Sequence, residues 1–175
     1  MGIFDIFREK ESNIKNEVHT QEQENDGKNE REFDLNIEKI LENWENYHAI
    51  REIIANALDE QIITQTKDIE IKQSNDGWWH IIDYGRGLNY HHLTQNENEE
   101  KLSNDKLIGR FGVGLKDALA TLYRHNVKVK IKSKYGTITL KTASKVGFED
   151  IITLHAEITP TNDTYMVGTD FCLYG

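Results

Sequence analysis

Glu52, Asn56 and Asp59 stand at i, i+4 and i+7 within the run Arg51-Glu52-Ile53-Ile54-Ala55-Asn56-Ala57-Leu58-Asp59-Glu60. On a helix they share one face, while Ile53, Ile54, Ala57 and Leu58 share the opposite one. A carboxylate and a carboxamide one turn apart can serve a bound metal ion and a water together. The same pattern also fits a plain amphipathic helix with a solvated polar stripe. Further along, Asp83-Tyr84-Gly85-Arg86-Gly87-Leu88 follows an apolar run directly. An aspartate at a strand end can accept a hydrogen bond from an exocyclic amine, and Gly85 and Gly87 let a flat ring approach the backbone closely. Asp and Gly are equally the ordinary residues of a tight turn. A third stretch, Gly109-Arg110-Phe111-Gly112-Val113-Gly114, feeds a helical pattern at Leu115, Ala118, Leu119 and Leu122. Successive amides at a helix N-terminus favour an anion such as phosphate. Finally, Gly168-Thr169 enters the last strand, where a hydroxyl can complete the polar floor of a pocket; alone this pair carries little signal.

Two familiar glycine signatures are excluded by spacing. A P-loop closes on Gly-Lys-Ser/Thr, whereas Lys116 follows Leu115 and precedes Asp117. A dinucleotide fingerprint needs a further glycine after the first pair, and neither Gly85-Arg86-Gly87 nor Gly112-Val113-Gly114 supplies it.

The elements that must position these residues are legible in the periodicity. Leu35, Ile37, Ile40, Leu41 and Trp44, then Ile50, Ile53, Ile54, Ala57, Leu58 and Ile62, recur at helical spacing, which predicts two helices or one bent helix over about 34–64. Ile69 and Ile71 alternate with polar residues, Asn75-Asp76-Gly77 supplies a turn, and Trp78 to Ile82 run back, a hairpin signature. Residues 89–108 are polar and read as a mobile segment. After His125 the period becomes two: Val127, Val129 and Ile131, then Ile138 and Leu140, then 151–158, and last 165–173. This order predicts an α+β fold, a two-layer sandwich whose mixed, mostly antiparallel sheet carries helices on one face.

Composition bounds the function. The chain has 175 residues, room for one ordinary domain, and a net charge of −9. Residues 1–32 hold nine acids against five bases with few large apolar groups, and are expected to be a charged, disordered leader to a domain over 33–175. Within it, Ile3, Phe4, Ile6 and Phe7 make a small apolar patch, read as a frayed terminus rather than a docking helix. The acidic balance argues against independent gripping of nucleic acid, which is expected as an indirect partner at most. No apolar run approaches the ~20 residues of a membrane span, so a cytoplasmic location is expected. The single cysteine, Cys172, sits in an apolar run and reads as a buried strand thiol.

Taken in order, the four stretches resemble the signature boxes of the GHKL superfamily, the ATP-binding domains of DNA gyrase, MutL, the heat-shock chaperone ATPases and the histidine kinases. Asn56-Ala57-Leu58-Asp59-Glu60 resembles the gyrase-type helix motif, and Ile108-Gly109-Arg110-Phe111-Gly112-Val113-Gly114-Leu115 resembles the glycine lid of the chaperone ATPases. The resemblance covers about 33–175. It implies the Bergerat fold, with ATP and Mg²⁺ as cofactors. It further implies that Asn56 coordinates the metal, that Glu52 is the catalytic base toward water, and that Asp83 accepts from the adenine amino group with Thr169 reinforcing it. Gly85 and Gly87 would open the base pocket. Gly109, Gly112, Val113, Gly114 and Leu115 would fold over the phosphates, with Asp59 in support and Arg86 covering the nucleotide.

The same resemblance implies a Mg-dependent ATPase that couples ATP binding and hydrolysis to conformational change in a larger assembly, acting with a protein partner or as a homodimer formed on ATP binding. A glutamate at position 52 favours hydrolysis over the phosphotransfer of a histidine or serine kinase; a non-hydrolytic nucleotide scaffold is the other alternative. The chain ends just past Gly168-Thr169, before the lysine-supplying domain of gyrase and MutL, so slow turnover is expected unless a partner's lysine, Lys106 or Lys116 substitutes.

Some residues carry weaker expectations. His91-His92 and nearby His80 lack cysteine or acidic partners at ligand spacing in the linear sequence, and read as lid or surface histidines rather than a zinc site. Alternation at Trp78-Trp79 predicts one ring in the core and one exposed. Lys128, Lys130, Lys132 and Lys134 predict a basic stripe on one sheet face, solvated rather than a contact surface.

Overall fold

The structure, a computed structural model, describes residues 30–35, 43–94, 107–108, 114–145, 147–163 and 165–175. In chain order it runs β1 (Arg31–Asp34), α1 (Asn46–Thr64), β2 (Glu70–Gln73), β3 (Trp79–Ile82), the single turn α2 (His91–Thr94), α3 (Gly114–Arg124), β4 (Lys128–Ser133), β5 (Gly136–Lys145), β6 (Phe148–Thr159) and β7 (Thr169–Tyr174). The strands form one seven-stranded sheet in the order β1-β6-β5-β4-β7-β3-β2. The α+β class is as expected, but each pairing is antiparallel, so the sheet is not the mixed one anticipated. Hairpin connections make the β2–β3, β4–β5 and β5–β6 neighbours antiparallel by construction. The last strand, β7, then inserts between β3 and β4, antiparallel to both.

Side-chain alternation divides the sheet into two chemically different faces. Ile81, Phe171, Ile131, Ile138 and Ile158 are successive cross-strand partners, and they join Ala49, Ile53, Ala57, Ala118, Leu119 and Leu122 in one core. Helices α1 and α3 therefore cover this face together. Each fully buried aliphatic side chain there contributes ~1.5–3 kcal/mol by leaving water. The alternate residues, His80, Cys172, Lys130, Thr139 and Glu157, are register partners on the opposite face.

Helix α1 owes its seat to Ala49, Ile53 and Ala57, a buried stripe at four-residue spacing. It begins at Asn46, where the Glu45 amide donates to His48 Nδ1 at 3.1 Å, and stops where Gln65 turns left-handed at φ 53°. Of the helical pattern expected from residue 34, Asn46–Thr64 is helical in the described residues. Asp34 belongs to β1, Trp44 is not helical, and Ile37, Ile40 and Leu41 lie outside the described residues. Helix α3 buries Leu115, Ala118, Leu119 and Leu122 and ends at Arg124, with Asn126 left-handed at φ 59° just beyond it. Residues 1–29, including the apolar patch at Ile3 to Phe7, also lie outside the described residues.

Three local readings need correcting. Neither tryptophan is in the core: Trp78 is half-buried against Tyr174 with ring centroids 5.4 Å apart, and Trp79 is 49% exposed at the end of its strand. Lys128, Lys130 and Lys132 do share the face away from the helices, but Lys134 falls in the β4–β5 turn. His80, which looked unpartnered in the linear sequence, faces Asp170 and Cys172 across the sheet. Cys172 is a buried strand thiol, as expected. Among the described residues no helix is long and apolar enough to cross a membrane.

Candidate functional site

Three neighbouring strands end their inward apolar stripes with a polar group at the same end of the sheet. Ile81 on β3 is followed two residues on by Asp83, Phe171 on β7 is preceded by Thr169, and Ile131 on β4 is followed by Ser133. The register aligns them: Thr169 faces Ser133 directly, and the Asp83 amide donates to the Thr169 carbonyl at 3.0 Å. All three are buried, at 3% exposure each. A polar row on an otherwise apolar face is costly unless its members are satisfied. Here the Leu88 amide donates to Thr169 Oγ1 at 3.0 Å, the Ser133 hydroxyl donates to the Leu88 carbonyl at 2.7 Å, and the Gly85 amide donates to Asp83 Oδ1 at 2.9 Å. Burial raises the Asp83 carboxyl above its ordinary value, against the lowering effect of the bonds from Gly85 and Thr169.

The loop after β3 is held by backbone-on-backbone contact. A Cβ at Gly168, whose φ is +76°, would fall 2.0 Å from the Asp83 carbonyl oxygen, and one at Gly87, φ +87°, would fall 3.1 Å from the Gly168 oxygen. No side chain can yield there, so Gly168→Ala is expected to lower stability by about 3 kcal/mol or more. A denaturant-melt difference under ~1 kcal/mol would contradict this packing. On its other side the loop meets α1. A Cβ at Gly85 would fall 2.3 Å from Glu60 Cγ, and the Arg86 amide, Nε and Nη2 donate to the Glu60 carboxylate at 2.8, 2.9 and 3.0 Å. Burial works to raise the Glu60 carboxyl, but these bonds prevail and hold it below the usual range. Arg86 is thus a clamp on α1 in this structure, where the sequence suggested a cover for a ligand.

The polar face of α1 is not a solvated stripe. Asp59 is fully buried and its Oδ1 accepts from the Ile108 amide at 2.7 Å; Glu52 and Asn56 are half-buried. Asn56 Nδ2 donates to the Glu52 carbonyl at 2.9 Å, which turns the carboxamide nitrogen back toward its own helix. The Glu52 carboxylate accepts from Arg51 Nη2 at 2.9 Å and lies over the start of α3, where a Cβ at Gly114 would fall 2.6 Å from Glu52 Oε2. Asp117, in the first turn of α3, is raised by burial and by the nearby Glu52 charge, against the pull of Lys116. One helix therefore carries Glu52 at the N-terminus of α3 and Glu60 at the Asp83 loop, about 12 Å apart along its axis.

Of the residues singled out by sequence, Asp83, Gly85, Gly87 and Thr169 come together at the sheet end, and Glu52 meets Gly114 at the start of α3, while Asn56 bonds back to its own helix and Asp59 to Ile108. Leu115 points into the core, so its share in a site is its amide. Gly109, Gly112 and Val113 lie outside the described residues, as does Lys106. Sequence reading missed Ser133 and the role of Glu60. The alternation Val129, Ile131, Ser133 did announce a hydroxyl on the apolar face. The Glu60–Arg86 clamp joins residues 26 apart and had no local signal.

No protein-family model matches the chain. An uncharacterised protein of Mycoplasma pneumoniae is 47% identical over 124 residues, covering 69% of this chain and 50% of that protein. The chain thus spans about half the length of the curated relative it matches.

Proposed function

We propose that the chain is an ATP-binding domain of the GHKL type, with the Bergerat fold, and that it hydrolyses ATP with Mg²⁺ as part of a larger assembly. The observation that carries this reading is the arrangement of α1. Its polar face is half-buried at Glu52 and Asn56 and fully buried at Asp59, and two positions along it meet the two groups a nucleoside triphosphate needs: Glu60 holds the loop that carries Asp83, an acceptor for the base, and Glu52 places a carboxylate at the helix N-terminus at Gly114.

In this reading the Asp83 carboxylate accepts from the exocyclic amine of adenine, with Thr169 fixing it, while Gly85 and Gly87 seat the loop against Glu60 and Gly168 rather than opening the pocket. Asn56 would offer its carboxamide oxygen to Mg²⁺, a hard cation that takes oxygen ligands and would neutralise phosphate charge. The α3 amides from Gly114 and Leu115 face phosphate charge, which a helix N-terminus favours. Glu52 orients the attacking water and takes its proton. The residues fit the group they would hold: a carboxylate, a carboxamide and a helix N-terminus are the donor set of an Mg²⁺–triphosphate site. The glycine segment 109–114 would close over the phosphates, and ATP-linked closure would change a surface presented to a protein partner or a second copy.

Thermal melts with nucleotide test the proposal. ATP with Mg²⁺ is expected to stabilise the chain by about 2.7 kcal/mol at a hundredfold excess over Kd, roughly 5–10 °C for a chain of this size. GTP presents an oxo group where adenine presents an amine, so it should shift the melt far less. Equal shifts with both, or none with either, would contradict the base assignment.

A further inference from the structure

We propose that His80, Asp170 and Cys172 form a binding site for a divalent transition metal, with zinc the best chemical fit, on the sheet face opposite α1 and α3. The site is independent of the nucleotide reading and uses none of its residues.

Register brings the three together. His80 on β3 and Cys172 on β7 are direct cross-strand partners, and Asp170 is two residues before Cys172, so alternation places all three on one face. His80 Nδ1 lies 3.0 Å from each Asp170 carboxylate oxygen and 3.6 Å from Cys172 Sγ, and the candidate ligand atoms all lie within 4.8 Å of one another. Donors on a tetrahedral zinc stand roughly 3.2–3.8 Å apart, so the cluster needs little rearrangement. The side chains of His80 and Asp170 are only 16% and 14% exposed, and Cys172 is buried.

The orientation of His80 is the second observation. Its Nε2 lies 3.3 Å from Ser74 Oγ, and that hydroxyl in turn donates to the Asp76 carboxylate. With the Ser74 hydroxyl donating to Asp76, Nε2 can donate to Ser74, which leaves Nδ1 turned toward the Asp170 carboxylate and the Cys172 thiol, where a metal ion would engage all three. Metal-ligating histidines are typically fixed by just such a bond at the other ring nitrogen. A thiolate, a carboxylate and a neutral imidazole together offset a divalent charge, and their mixed sulfur, nitrogen and oxygen donors suit a borderline ion over Mg²⁺. Three protein ligands leave a fourth position for water.

The surrounding charges set the pH dependence. Lys130 and Lys132 are register partners of Cys172 and Asp170, Lys72 is that of His80, and all oppose a cation, while Asp170, Asp76 and Glu70 favour it. Burial, with Asp170 beside it, pushes the Cys172 thiol up to about 12. A thiolate ligand must lose its proton to solvent on binding metal, so affinity should rise with pH.

Titration of the untagged full chain with Co²⁺ alone, followed by Zn²⁺, tests the site. The sequence contains one cysteine, so a sulfur-to-cobalt charge-transfer band reports that thiolate alone. The expected result is one equivalent of Co²⁺ giving this band, displaced by Zn²⁺, unaffected by excess Mg²⁺, and absent in Cys172→Ser. Ser74→Ala, which leaves the ligands in place, should weaken binding about 10- to 100-fold, and His91→Ala with His92→Ala should not change it. Absence of the band in wild type would overturn the proposal. So would equal Co²⁺ affinity in wild type and Ser74→Ala, a comparison that stands even if Cys172→Ser fails to fold.

Discussion

Glu52→Ala should leave ATP affinity within a few fold of wild type and lower phosphate release by about 100-fold or more, the usual worth of a positioned general base. The carboxylate sits at the N-terminus of α3, against Gly114 and with Arg51 as its ion partner. It is therefore held beside the amides proposed to face the phosphates, not beside the base. An interaction made with the attacking water and not with bound ATP shows in turnover and not in binding. Steady-state phosphate release with an equilibrium binding control separates the two. Equal release by wild type and variant would remove Glu52 from the chemistry. Tight ATP binding with no release by either would make the domain a switch rather than a hydrolase.

Asp83→Asn should weaken ATP about 10- to 100-fold, the worth of one hydrogen bond to a charged partner, while leaving the empty protein at least as stable at neutral pH. The second half follows from the direction of the Asp83 shift. Its carboxyl is raised above the ordinary 3.8 chiefly by burial, so the folded state holds this proton more tightly than the unfolded chain does. Stability from this group is fully present at low pH and is lost as pH rises through the window above 3.8. An asparagine of the same shape still accepts from the Gly85 amide and carries no such penalty. Binding by isothermal titration and melting at two pH values check both halves. Retained affinity would undo the base assignment; a large loss of stability at neutral pH would mean that the Asp83 charge is structural.

Much of the candidate site was legible because its residues break a local pattern. Asp83 and Thr169 continue apolar stripes with a polar group, and Glu52, Asn56 and Asp59 share a helix face by spacing alone. What escaped was non-local. β1 has a single large apolar residue, Phe33, between charged neighbours, and exists because Arg31–Asp34 pairs with residues 155–158 at the far end of the chain. Insertion of β7 between β3 and β4 is likewise set by packing, and it creates both the polar row and the His80–Cys172 neighbours, 92 residues apart. The polar stripe on α1 could not be distinguished from a solvated surface by periodicity, because the partner of Asp59, the Ile108 amide, lies 49 residues away in sequence.

The most direct test of the central claim is a crystal structure with Mg²⁺ and a non-hydrolysable ATP analogue. The account predicts the adenine amine on the Asp83 carboxylate, Mg²⁺ on the Asn56 carboxamide oxygen, and the γ-phosphate between Glu52 and the first amides of α3, all from one nucleotide. A nucleotide ordered elsewhere, or one touching only Asp83 or only the Glu52 and Asn56 end, would contradict it.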